Sequence, residues 1–67
     1  MNPSIHQVIE TKSAANVITR CGDTVRTMLN LSQFLPSDRE RMEQLVACLY
    51  ETAASLFESG DKQLEQN

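Results

Sequence analysis

The side chains best suited to ligating a metal or attacking a substrate are His6, Glu10, Cys21 and Cys48. His6 and Glu10 stand four residues apart, a spacing that puts both on one face of a helix. A zinc site needs three or four ligands with hydrogen-bonded support behind them. No third donor follows at helical spacing, so the pair reads as a solvent-exposed histidine near the terminus. A reactive cysteine needs a neighbouring base and a lowered pKa, yet the one histidine is far in sequence from Cys21 and Cys48. Nor is there a glycine-rich phosphate loop, a Ser-His-Asp set or a pair of carboxylates in an apolar setting. The sequence therefore predicts a protein that is not an enzyme and uses no cofactor or metal.

Two other groups of residues have the chemistry of binding. Lys12, Asn16, Arg20, Thr27 and Asn30 recur as a polar stripe, with Arg26 at its edge. Paired across a symmetric dimer, two such stripes could contact the phosphates of an RNA duplex, with Lys12, Arg20 and Arg26 as the nucleic-acid contacts. Asp23 interrupts the stripe, no aromatic is there to stack a base, and an ordinary solvated face is the stronger reading. The second group is apolar: Leu45, Leu49, Tyr50, Ala53, Leu56 and Phe57, expected to form a dimer interface or a partner-binding surface.

Two elements must carry these residues. From Ser37 to Gly60, Met42, Val46, Leu49, Ala53 and Leu56 alternate spacings of four and three, which is a helical seam. Ser37 with Glu40 has the form of a capping box, Pro36 discourages helix at Leu35, and Gly60 suits the residue just past a helix end. The predicted helix spans about 38–59, followed by a polar tail over 61–67. Before Pro36, Ala14, Ile18, Cys21, Val25 and Met28 repeat the same spacing, and Leu35 continues it. This predicts a helix over about 4–35, begun by Asn2 and Pro3. It has two candidate breaks, at Thr11-Lys12-Ser13 and at Gly22. Gly22-Asp23 between β-branched flanks is also a hairpin signal. Val17-Ile18 and Met28-Leu29 spoil the alternation a strand needs, which favours helix.

With 67 residues the chain makes one domain with a modest core, over 1–60, and chains this short often add metals, disulfides or oligomerisation. Net charge is −3, and it is uneven: +1 over residues 1–35 and −4 over 36–67. That balance disfavours nucleic acid as the default partner. In a hairpin centred near Pro36, Cys48 falls opposite about Val25, a helical turn from Cys21. Both are expected as free thiols in a reducing, cytoplasmic setting. No stretch has the form of a signal peptide or a membrane span.

The fold expected is all-α: an antiparallel helical hairpin, joined to a second copy as a homodimeric four-helix bundle, because the apolar faces are wider than one neighbour can cover. Ala53-Ala54-Ser55-Leu56-Phe57-Glu58-Ser59 resembles the Ala, Leu, aromatic and Ser pattern late in the second helix of the plasmid copy-number Rop-type proteins. The architecture is similar to theirs too. The resemblance implies dimeric bundles that bind RNA on their first helices. Those helices use a central aromatic that this chain lacks, and no site residue is carried over. The function expected is a small non-enzymatic regulator that binds another protein (an adaptor, an inhibitor or anti-activator, or a chaperone-like protein), with the Rop-like RNA-binding dimer as the alternative.

Overall fold

The computed structural model describes residues 4–65, as two helices: α1 (Ile5–Leu31) and α2 (Pro36–Glu65). They run antiparallel and pack along an elongated body of 49 × 15 × 12 Å. The expected start at Asn2 and Pro3 lies outside the described residues. Ser4 caps α1 instead: its hydroxyl accepts from the Gln7 N–H at 3.2 Å, and the Gln7 side chain accepts from the Ser4 N–H at 2.9 Å. This reciprocal pair satisfies two of the donors that a helix start leaves free.

No break occurs at residues 11–13 or at Gly22. The β-branched run is accommodated because Thr11, Thr19, Thr24 and Thr27 each return the hydroxyl to the carbonyl four residues earlier, at 2.8 to 2.9 Å.

The second helix corrects the expected cap. It begins at Pro36, not after Ser37, and the Arg39 N–H donates to the Leu35 carbonyl at 2.9 Å. Proline takes the first helical position, where its missing N–H costs nothing and its fixed φ is already helical. Ser37 and Glu40 then fall inside the helix and form no capping box. Arg39 reaches back across the turn. Its guanidinium donates to the carbonyls of Leu29 at 2.8 Å and Ser32 at 3.3 Å. A cation thus closes the negative end of α1.

Gly60 does not stop the helix either. α2 continues to Glu65, so the expected tail is helical through that residue. The reason lies in packing. The buried residues of α1 are Val8, Ala15, Gly22 and Leu29, and those of α2 are Val46, Ala53 and Gly60. Both rows have a spacing of seven, the repeat that keeps one line of a helix against a neighbour. Four of the seven members are Ala or Gly, so the helices approach closely and the small residues are used up by contact. The Tyr50 ring lies on Gly22, and the aliphatic stem of Lys12 lies on Gly60.

The two glycines make different predictions. A Cβ on Gly60 would stand 2.9 Å from Lys12 Cγ, on a flexible stem whose displacement costs at most the exposed pair with Asp61. Gly60→Ala gains helix propensity of about 1 kcal/mol and should leave the thermal midpoint unchanged or raise it. A Cβ on Gly22 would stand 2.9 Å from Tyr50 Cε1, in a ring held at its far end by a hydrogen bond. Gly22→Ala should lower stability by about 1–2 kcal/mol in spite of the same propensity gain. Thermal unfolding followed by circular dichroism checks this order, and the reverse order would contradict the packing described.

Candidate interaction site

The buried rows divide the hairpin into two flanks. Residues three places after each buried position lie on one side, and residues four places after lie on the other. Because both helices are right-handed and run in opposite directions, equal offsets from α1 and α2 share a side. One flank carries Thr11, Ile18 and Val25 from α1 with Met42, Leu49, Leu56 and Gln63 from α2, all half-buried. Outside them run Ala14, Cys21 and Met28, then Leu45, Thr52 and Ser59. From Gln7 to Ser32 and from Met42 to Gln63, these positions hold no charged residue. Met28 is 47% exposed and Leu45 is 49% exposed. This is a charge-free, largely apolar strip running most of the length of the hairpin.

The expected α1 seam therefore sits one step off the real core, whereas the expected α2 seam includes the buried Val46 and Ala53. Ala14, Ile18, Cys21, Val25 and Met28 are not the line that meets α2; they belong to the charge-free flank. The expected partner surface is also divided. Leu45, Leu49 and Leu56 lie together on the charge-free flank. Ala53 is buried between the helices, 3% exposed, and offers nothing to a partner. Tyr50 and Phe57 fall on the opposite flank, each half-buried.

That opposite flank is polar. Lys12 Nζ lies 2.7 Å from Asp61 Oδ1, and the Tyr50 hydroxyl donates to the Asp23 carboxylate with Arg26 beside it. Asp23 holds the phenolic proton and, with partial burial, raises the Tyr50 pKa above 10.0, while Arg26 opposes the shift. Further toward the turn, Arg26, Leu29, Asn30, Arg39, Glu43, Val46, Ala47 and Tyr50 line a cleft of about 410 Å³.

Of the cations expected on an RNA-binding stripe, Lys12 is tied to Asp61, Arg26 stands beside Tyr50, and Arg20 is exposed. His6 and Glu10 pair at 3.0 Å on the surface. No group of three or more His, Cys, Asp or Glu among the described residues is placed to hold a metal ion. Cys21 and Cys48 are free and exposed. No helix among the described residues is long and apolar enough to cross a membrane. Comparison with known proteins finds no matching family model, curated protein or solved structure.

The surface left open is large for the mass. A compact monomer of 7.5 kDa exposes about 4,200 Å², whereas this chain exposes 5030 Å². Its radius of gyration is 15.3 Å, against about 11 Å for a compact domain of this length.

Tyr50 is the only tyrosine and there is no tryptophan, so its ionisation can be followed alone by ultraviolet absorbance. A phenol whose folded pKa is raised favours the fold while protonated. Its contribution is complete below pH 10 and is lost as pH climbs through the raised value. The titration midpoint should lie above 10.0 and should drop in Asp23→Asn, where the carboxylate charge is gone. An unchanged midpoint in that variant would contradict the Tyr50–Asp23 assignment.

Proposed function

We propose that the protein is a small non-enzymatic regulator that pairs with a second copy of itself through the charge-free flank, forming a four-helix bundle, and in that form binds another protein. The observation that carries this reading is the absence of charge along both helices of one exposed flank. A two-fold axis sets this strip against itself, and a strip with no charges meets its own copy with no like-charge conflict and no ion to desolvate. Adaptor, inhibitor or anti-activator, and chaperone-like roles all fit such a module, and its free thiols suit a reducing cytoplasm.

The alternative, an RNA-binding dimer, has less behind it. Lys12 spends its charge on Asp61 and Arg26 stands near the Tyr50–Asp23 pair, which leaves Arg20 alone on the stripe. Reversing charge at Arg20 and Arg26 separates the two readings. The RNA reading expects salt-dependent RNA binding that vanishes in the double variant while helicity stays intact. The protein-binding reading expects no RNA binding to lose.

Dimerisation has its own tests. Sedimentation should give twice the 7.5 kDa chain mass. Leu49→Asp sets an unpaired charge in the centre of the strip and should abolish the dimer and most of the helical signal together. A folded dimeric Leu49→Asp protein would overturn this account. Cys21 lies on the strip and Cys48 points away from α1. In the dimer Cys21 should alkylate several-fold more slowly than Cys48, and equal rates would count against burial of this flank.

A further inference from the structure

When the charge-free flank is covered, the opposite flank stays open, and its cleft has the makings of a recognition site. Its floor is apolar: Leu29 and Val46, 6% and 8% exposed, with Ala47 and the Tyr50 ring beside them. Its rim holds two arginines. In a chain with an excess of acid, neither Arg26 nor Arg39 has a carboxylate within ion-pair distance among the described residues. Arg39 is held in place by the Leu29 and Ser32 carbonyls through one nitrogen, and its other donors have no partner among the described residues. Two carboxylates stand nearby. Asp23 already accepts from Tyr50, and Glu43 lies on the rim. Arg39 and Tyr50 are thus held before any ligand arrives, which lowers the ordering cost of binding.

We propose that this cleft binds an acidic amphipathic segment of a partner protein, taking one aliphatic side chain onto Leu29, Val46 and Ala47 and a carboxylate onto Arg26 and Arg39. Aliphatic contact gives position, and the charge-assisted hydrogen bonds give the preference for acid. This inference rests on the protein-binding reading above and names the chemistry of the partner.

The probe is a synthetic helical peptide of about 15 residues, capped at both ends, with Leu and Glu on one stripe and Ala elsewhere. A control peptide has every Glu replaced by Gln. Each is titrated into the isotope-labelled full chain and followed by amide chemical shifts. The acidic peptide should shift Leu29, Asn30, Val46 and Ala47, and binding should weaken with salt. The Gln peptide should bind about tenfold more weakly, the loss expected for hydrogen bonds to a charged group. Arg26→Gln should lose the same preference, whereas Glu43→Gln should tighten binding of the acidic peptide, because a competing carboxylate is removed. If Arg26→Gln loses helicity, Glu43→Gln and the control peptide still decide. Equal binding of the two peptides, or no shift in the cleft, overturns the proposal. Shifts at Met28, Leu45 and Leu49 instead also overturn it, while leaving the protein-binding reading in place. The dimer is judged separately by sedimentation.

Discussion

The close approach of α1 and α2 along one line of small residues is the constraint on which the rest depends. Ala15, Gly22, Ala53 and Gly60 have little or no side chain to hold the helices apart, so backbone and ring can touch directly. The close contact costs apolar volume. Among the described residues only Val8, Leu29 and Val46 bring larger side chains to the buried rows, and no large side chain is fully buried. Each such residue contributes about 1.5–3 kcal/mol at full burial, a thin core for two long helices. Ile18, Val25, Met42, Leu49 and Leu56 are pushed to one flank, where α1 and α2 cover them only in part.

The opposite flank follows from the same constraint. With Gly22 under it, the Tyr50 ring lies low enough for its hydroxyl to reach Asp23, and with Gly60 under it, the Lys12 stem reaches Asp61. These polar contacts match the register that the buried rows set, and Arg39 closes α1 at the turn. Polar contacts thus gather on this flank and at the turn, beside the apolar floor of the cleft, whereas the charge-free flank has apolar area and little direction of its own. Such a surface is suited to meeting another surface. The two flanks offer different chemistry, one charge-free and one polar.

The helical hairpin was legible in the sequence, since spacings of four and three run through both halves and Pro36 marks the turn. The core line of α1 was not, although the α2 seam already held Val46 and Ala53. Large residues dominate a periodicity reading, so the seam of Ala14, Ile18, Cys21, Val25 and Met28 stood out over Ala15 and Gly22. Two helices whose contact is made by small residues put their larger apolar side chains beside the contact and not within it. Gly22 and Gly60 misled for a related reason: glycine reads as a break or a stop, but here each is helical and serves to admit a neighbouring side chain. Ser37 and Glu40 have the right types for a capping box, and the proline before them took the helix start. The apolar candidates Leu45, Leu49 and Leu56 share one flank. Tyr50 and Phe57, close to them in sequence, belong to the other flank because one residue of offset turns a side chain by about 100°.

The central claim is that a second copy covers the charge-free flank. Isotope-filtered nuclear Overhauser spectroscopy on an equal mixture of labelled and unlabelled chains tests it most directly, because it reports contacts between copies only. The account predicts intermolecular contacts from the methyl groups of Ile18, Val25, Met28, Leu45 and Leu49, and none from the rings of Tyr50 or Phe57. A spectrum with no intermolecular contacts, or with contacts centred on Tyr50 and Phe57, would contradict it.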